Sequence, residues 1–339
     1  MTPRSVFVTG ALGFIGRAIA DRYRADGAEV RGVDVRADPA GGVVADDIAR
    51  PGPWQEHTAG CDLVVHTAWL VSNLAGRAQA WEVNVHGTRH VLDAAVAGGA
   101  TRFVHFSSAA VYGHVRPDPV DERHPVRPTG ATYSDTKIAA EQVVLQAHAA
   151  REVVATILRP GDVYGPGSRP WTILPVEMLR RHQVLLPAWG RGTFNPVFVD
   201  DLVDAVLLAA DADDAAGEVF NVTGDTPVDT REFFGHYSRM LGLAPPPVAS
   251  TTVAIAAAEV LGRASRAIGR PSEASAPTVR MLAAHGVVSI EKARSVLGFE
   301  PRVALDEGMG RTEDWLRAEG LVDRAAPGTP APRDRRGTA

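Results

Sequence analysis

Tyr133 and Lys137 stand four residues apart in the run YSDTK. On a helix that spacing puts both side chains on one face, one turn apart. The lysine is informative because the chain has two lysines against thirty-three arginines. A composition so biased would place Arg wherever any cation serves, so position 137 reads as a site for a compact ammonium and not for a guanidinium fork. A free phenol titrates near ~10, and bringing it close to neutrality takes about three pK units, or roughly 4 kcal/mol. A cation about 4 Å away at an effective dielectric of about 20 supplies that amount. The pair is therefore expected to work as a phenol lowered by a neighbouring ammonium, moving a proton to and from a substrate oxygen. Taken alone, a Y-x-x-x-K run equally describes a surface contact between helix neighbours.

Residues 5–16, SVFVTGALGFIG, supply the second piece of chemistry. A short β-branched apolar run enters a loop with Gly10, Gly13 and Gly16, and the helix-forming stretch RAIADRYRADG follows. In such a loop the first glycine allows the tight turn, the second lets backbone amides approach a pyrophosphate, and the third lets helix and strand pack closely. The helix N-terminus then offers free N–H groups and a partial positive charge to phosphates. The next strand, EVRGVD, closes on Asp34. An aspartate there can accept hydrogen bonds from both hydroxyls of an adenosine ribose and repels a 2′-phosphate, which favours NAD over NADP. Arg36 leaves NADP as the alternative: it could pair with Asp34, lie in solvent, or hold a 2′-phosphate.

On these motifs the chain resembles an extended short-chain dehydrogenase/reductase of the NAD-dependent epimerase/dehydratase family, in that family's order from Ser5 to about Leu321. The resemblance implies that Gly10, Leu12, Gly13, Phe14, Ile15 and Gly16 form the cofactor loop, with Asp34 and Arg36 at the ribose. It implies that Asp47 and Ile48 of VVADDI contact adenine, and that Thr67 and Ala68 of VVHTA lie under the cofactor. Pro160 and Val163 of LRPGDVYGPG complete that site, together with Tyr133 and Lys137. In the catalytic set so implied, Ser108 of FSSAAVYG orients the substrate oxygen and Tyr133 moves its proton. Lys137 holds the nicotinamide ribose, and Asn84 of NVHGT breaks its helix to position a water that links Lys137 to solvent. The set is chemically coherent, because removing a hydride from a secondary alcohol needs one base and one hydrogen-bond donor at the same oxygen. Singly, Ser108 is a strand-end serine in a turn and Asn84 a helix asparagine bonding its own backbone.

The elements needed to hold these groups are legible as strand-like runs at 5–9, 29–33, 42–45, 62–66, 102–106 and 153–158, alternating with helical runs. The expected fold is α/β, a Rossmann-type doubly wound parallel sheet with a smaller mixed C-terminal substrate lobe. Residues 1–166 are assigned to the NAD(P)-binding domain and 167–322 to the substrate lobe, with about 195–222 returning to the first domain. Residues 323–339, rich in Pro, Gly, Arg and Ala, are expected to be disordered. The Ala-rich stretch 251–268 is expected to be a helix packed on the lobe and broken at Gly262. Lys292 reads as an ordinary surface residue of the closing helix SIEKARSVLGFEP. A net charge of −5 carries no polyanion signal, so no nucleic acid is expected. The single cysteine, Cys61, rules out an internal disulfide and reads as a buried thiol at a strand start. No run is apolar enough to span a bilayer, the first strand begins too early to leave room for a signal peptide, and a cytoplasmic protein is expected. No metal is expected. The resemblance also implies a homodimer through the helices carrying Asn84 and Lys137.

Departures from the family's subgroups bear on the substrate. Dehydratases resemble this chain but place an acid pair after the catalytic-strand serine, where Ala109 and Ala110 stand. Sugar-nucleotide 4-epimerases commonly use an Asn before YGP and an Arg-Asp pair before the re-entering helix; here stand Asp162 and Asn195-Pro196. An aspartate repels a diphosphate, and the missing arginine removes a bidentate clamp. Arg159, Arg169 and Arg191 remain as compensating cations, so the epimerase stays as the alternative. Trp69, Leu70, Val71, Trp171, Phe194 and Phe198 are apolar where polar anchors would be needed. Of these, Trp69 and Phe194 are expected to line a substrate pocket with Ser108, Ala109 and Tyr133. The pattern is more similar to the 3β-hydroxysteroid dehydrogenase and dihydroflavonol reductase branch, which implies a secondary alcohol or ketone on a fairly apolar skeleton. A fold that kept the cofactor but lost the chemistry, a sensor or scaffold, is disfavoured because Tyr133 and Lys137 are both present.

Overall fold

The computed structural model describes residues 3–71, 76–267 and 275–323. The expected tail lies outside them from residue 324 onward. Seven parallel strands form the main sheet: β1 (Ser5–Thr9), β2 (Glu29–Asp34), β3 (Val43–Ala45), β4 (Leu63–His66), β5 (Arg102–Phe106), β6 (Val154–Pro160) and, after β7 (Asp162–Tyr164), β8 (Thr193–Phe194) and β9 (Pro196–Phe198), the returning β10 (Val219–Val222). Their order is β10-β6-β5-β4-β1-β2-β3. The order reverses between β1 and β4, whose register runs Val6 to Leu63 and Thr9 to His66. The crevice outside the carboxyl ends of those two strands is where a doubly wound sheet takes its ligand.

Period-two alternation decides the two faces. Val6 and Val8 of β1, Leu63 and Val65 of β4, and Val104 and Phe106 of β5 belong to one core, while Phe7, Val64 and Phe103 belong to the other. Every one of these side chains is buried, so the strands read as continuous apolar runs. Helix α1 (Phe14–Ala25) covers the first face with Ile19 and Tyr23. On the second face α2 (Arg77–Trp81) passes through a π-helical turn, Glu82–His86, into α3 (Gly87–Gly98), which packs beside α4 (Thr132–Ala149). After α5 (Leu174–Arg180), α6 (Val199–Asp211) returns to the α1 side.

Beyond the sheet, β7 pairs with β9, and β8 pairs with β11 (Val228–Asp229), which leads into α7 (Thr230–Met240). Three helices follow: α8 (Thr251–Ala267), α9 (Ala276–Leu282) and α10 (Leu305–Ala318). Helix α8 runs unbroken through Gly262, contrary to expectation, since an interior glycine costs only about 1 kcal/mol. Lys292 is also more than a surface residue. Its ammonium donates to Glu218 Oε2 at 2.6 Å and to the Val219 carbonyl at 2.8 Å, tying the closing helical segment to the start of β10. Cys61 is buried and free. No helix among the described residues is long and apolar enough to cross a membrane.

Candidate active site

The glycine loop is built as a cradle without side chains. Gly10 has φ +65°, and a Cβ there would lie 2.9 Å from the Ala68 Cα. A Cβ on Gly16 would lie 2.2 Å from the Gly10 carbonyl oxygen. Gly13 caps α1 with no side-chain hydrogen bond, leaving the amides of that helix start unclaimed by side chains. Thr67 donates to the Thr9 carbonyl at 2.7 Å and the Ala68 N–H donates to Thr9 Oγ1 at 3.2 Å, strapping the ends of β1 and β4 together. Asp34 Oδ2 accepts from the Leu12 N–H at 3.1 Å, so the acid is fixed against the loop. The exposed Arg36 side chain makes no ion pair among the described residues. Phe14 and Ile15 are half-buried at the start of α1. Asp47 Oδ1 accepts from the Ala49 N–H at 2.9 Å. Ile48 is buried in the second core, Pro160 ends β6, and Val163 lies in the first core. A bare glycine turn, an uncapped helix start and a strand-end acid fit a dinucleotide: amides for the pyrophosphate and Asp34 for the ribose hydroxyls.

Ser108 lies two residues beyond the end of β5 and caps the short turn Ala109–Tyr112, its Oγ accepting from the Ala110 N–H at 3.2 Å. That leaves the hydroxyl proton free to donate. Tyr133 stands in the first turn of α4, close enough to Ser108 for the serine hydroxyl to favour the phenolate. Burial dominates, however, and together with the negative charge of Asp162 it raises the phenol above its ordinary range. The expected lowering by Lys137 is absent. The Lys137 ammonium donates to the Phe106 carbonyl at 2.6 Å and lies 3.4 Å from the centre of the Trp69 ring. Its own proton affinity is pushed well down by burial and partly restored by Glu141. Beneath it, His66 bridges Thr9 and Thr88 and is pushed down to about 3, first by burial and then by Lys137. His105 is pushed down for the same reasons and by His66, so this floor is neutral.

Asn84 is fully buried within the π-turn. Its Oδ1 accepts from the Leu70 N–H at 2.8 Å and its Nδ2 donates to Thr136 Oγ1 at 3.2 Å. It thus joins the loop carrying Trp69 to the residue preceding Lys137. The helix bends its bonding pattern at Asn84 without ending there.

The model of the NAD dependent epimerase/dehydratase family matches residues 6–223. The chain belongs to the NAD-dependent epimerase/dehydratase family. Within it, the chain is 32% identical over 335 residues to a 4-hydroxy-2-methyl-3-oxo-4-farnesyl-3,4-dihydroquinoline-1-oxide ketoreductase of Stigmatella aurantiaca, covering 94% of this chain and 98% of the relative. A UDP-glucose 4-epimerase of Mycolicibacterium smegmatis is 29% identical over 336 residues, covering 91% and 97%. Among solved structures, MoeE5 in complex with UDP-glucose and NAD is 27% identical with a TM-score of 0.75, over 93% of this chain and 99% of that one. This family member is an enzyme, and NAD is the cofactor that its solved relatives hold.

Two of the sequence expectations need correction against the geometry. Phe194 is 2% exposed and stacks on Phe233 at 3.9 Å, with Trp171 edge-on at 4.7 Å, so it is core and not pocket lining. Arg159 does not serve as an anion clamp: it is buried and holds both carboxylate oxygens of Glu141, at 2.8 and 2.7 Å. Its third contact is the Tyr112 hydroxyl, which donates onward to Asn221 Oδ1. Arg169 and Arg191 are exposed. Trp69 remains beside Lys137, and Ala109 is buried next to Ser108.

Arg116 belongs to the same region without any sequence motif to mark it. It is half-buried in the loop after the Ser108 turn, donates from Nη2 to the Gly286 carbonyl at 3.1 Å, and faces Asp162 electrostatically. Asp162 Oδ2 accepts from the Asn195 N–H at 2.9 Å, while the Asn195 side chain binds the Gly286 carbonyl and the Val288 N–H. Burial pushes the Asp162 carboxyl up to about 6, with Asn195 and Arg116 opposing. One arginine among thirty-three in a Pro-rich loop carries no signal of its own.

Proposed function

We propose that this enzyme interconverts a secondary alcohol and a ketone on a fairly apolar substrate, with NAD as cofactor and Ser108, Tyr133 and Lys137 as the chemical set. Support comes first from the charge around Tyr133. The acid whose charge acts on the phenol is Asp162, and Arg159, a candidate diphosphate clamp, is consumed by Glu141. A nucleotide diphosphate would meet a carboxylate there, and the neighbouring Arg116 is partly spent on the Gly286 carbonyl. Further support comes from the Stigmatella relative, a ketoreductase whose named substrate bears a farnesyl chain and a 4-hydroxyl beside a 3-oxo group.

A phenol raised by burial is protonated at neutral pH, which suits it to donate to a developing alkoxide and favours ketone reduction as the direction. Ser108 would donate its free hydroxyl proton to the same oxygen, stabilising charge as it forms. NADH, when held by the glycine loop and Asp34, would supply the hydride, one hydrogen with two electrons, for the carbonyl carbon. Lys137 would hold the nicotinamide ribose after its ammonium turns from the Phe106 carbonyl, while Asn84 ties the helix turn carrying Lys137 to the Trp69 loop through Thr136 and Leu70. Pairing of α3 and α4 with a second copy belongs to the same reading.

The second reading is a nucleotide-sugar 4-epimerase, favoured by the Mycolicibacterium relative. Purified protein decides between them. A ketoreductase consumes NADH, read at its absorbance band, with apolar ketones. An epimerase interconverts UDP-glucose and UDP-galactose with no net absorbance change, and that result would overturn the first reading.

A further inference from the structure

We infer that His66 is a positioning residue for the proton step: fixed as its Nε2–H tautomer, it closes a ring of hydrogen bonds that sets the Trp69 loop against Lys137 and ties both to the crevice between β1 and β4. This goes beyond the alcohol–ketone reading, because both readings of the site use Tyr133 and Lys137. The tautomer follows from counting protons. Thr88 Oγ1 lies 2.7 Å from the Asn84 carbonyl oxygen, which can only accept, so the threonine spends its one proton there. His66 Nε2, 3.0 Å from the same Thr88 oxygen, must therefore be the donor to it. Burial and the Lys137 ammonium keep the imidazole neutral, so Nδ1 carries no proton and accepts from Thr9 Oγ1 at 2.7 Å.

Thr9 Oγ1 in turn accepts from the Ala68 N–H at 3.2 Å. The bonds thus run one way, from Ala68 through Thr9, His66 and Thr88 to the backbone carbonyl of Asn84. The side chain of the same asparagine accepts from the Leu70 N–H at 2.8 Å, which closes the ring. Ala68 and Leu70 are fastened at its two ends, and Trp69 between them holds its indole ring 3.4 Å from the Lys137 ammonium. Asn84 Nδ2 carries the frame onward to Thr136, the residue before Lys137, at 3.2 Å. Strands β1 and β4, the π-turn and α4 are joined in this way through one imidazole.

A buried histidine does not acquire such partners by default. His105 lies beside His66 in the β4–β5 register, with ring centres 5.3 Å apart, and is as deeply buried. Neither of its ring nitrogens has a hydrogen-bond partner among the described residues. The two histidines share a sheet face and a depth, yet only His66 is built into the frame. His105 is therefore the internal control for what burial alone contributes.

Two isosteres separate the halves of the ring, since an asparagine oxygen stands near the place of Nδ1 and a glutamine amide near that of Nε2–H. His66→Asn keeps an acceptor for Thr9 but no donor for Thr88, and should lower kcat by about ten- to a hundredfold, the effect of misplacing a reacting group. Its NADH affinity by calorimetry should stay close to wild type. His66→Gln restores the donor and should recover most of the loss. Thr88→Val should match His66→Asn, and the double variant should fall no further, because both cut one link. His105→Asn, the same exchange one strand over, should leave turnover near wild type. Turnover is counted per NADH-binding site, so misfolded protein does not enter, with the substrate that the wild type accepts, an apolar ketone or UDP-glucose. NMR of histidine-labelled protein reads the tautomer directly, and the resonance lost in His66→Gln should be that of an Nε2–H imidazole. Full turnover per site in His66→Asn, no recovery in His66→Gln, additive losses in the double variant, an equal loss in His105→Asn, or an Nδ1–H tautomer overturns the proposal. A wild type that accepts neither substrate does so too, since no proton step is left to position. Interconversion of UDP-glucose and UDP-galactose without ketone reduction would overturn the alcohol–ketone reading alone, which keeps the two failures distinguishable.

Discussion

Replacing Asp162 by asparagine should make the protein more stable, by an amount that depends on pH. Burial raises this carboxyl from an ordinary 3.8 to about 6, a displacement of about two units. At about 1.4 kcal/mol per unit, keeping it ionised at pH 8 costs the native state about 3 kcal/mol. The sign follows from proton binding. Between the unfolded and folded values the native state holds the proton and the unfolded chain does not, so stability is fully present below about pH 4 and is lost as pH rises through about 6. Asparagine cannot ionise, yet its side-chain oxygen can still accept from the Asn195 N–H. The expected gain is therefore about 3 kcal/mol at pH 8, about half that at pH 5, and none below about pH 4. Urea unfolding of dinucleotide-free wild type and variant at pH 5 and pH 8 measures it. A variant less stable than wild type at pH 8, or an equal gain at both pH values, would refute the reasoning.

Tyr133→Phe should lower turnover by about 10²- to 10⁴-fold while NAD affinity stays within a few-fold, because the lost group moves a proton; retained turnover would remove Tyr133 from the chemistry. NAD binding should change tryptophan fluorescence in the wild type and much less in Trp69→Phe, since the Lys137 ammonium must leave the Trp69 ring to meet a ribose; equal changes in both would place Trp69 away from that event. Glu141→Gln should destabilise by about 3–5 kcal/mol in urea, because it leaves a buried guanidinium without its counter-charge, and a loss under 1 kcal/mol would contradict the buried pair. Gly16→Ala should abolish NAD binding by calorimetry while circular dichroism remains native, its methyl colliding with the Gly10 carbonyl; unchanged affinity would falsify the cradle.

The sheet was legible because its strands are short, buried on both faces and separated by helical periodicity, as in SVFVT, LVVH and RFVHF. The glycine loop was legible because sterics leave few residues able to occupy it. Spacing correctly put Tyr133 and Lys137 on one helix, but it does not set which way a long side chain turns. Lys137 has a carbonyl and an indole ring within reach, and neither is written in the YSDTK run. Glu141, four residues past Lys137, was within reach of the same helical arithmetic. Its partner Arg159 lies on β6, eighteen positions later, and only the folded chain brings them together. Phe194 misled because an aromatic in a Pro-rich stretch looks the same whether it faces a ligand or Phe233. Arg116 and Asp162 come from segments far apart in sequence that are joined through Gly286 and Asn195, so no local pattern announces them.

The π-turn at Glu82–His86 stores one more peptide unit than a regular helical turn would. Trimming a single residue from that turn would let the segment relax into an uninterrupted helix, with the flanking turns nearly in phase but the Asn84 side chain moved off the place that the wide turn gives it. The amide that spans the Trp69 loop and Thr136 would lose one of its two anchorages, though the helix itself would be better formed. Length is therefore policed at this point more strictly than helix propensity, and shortening should be tolerated far less well here than conservative exchange of the exposed residues around it.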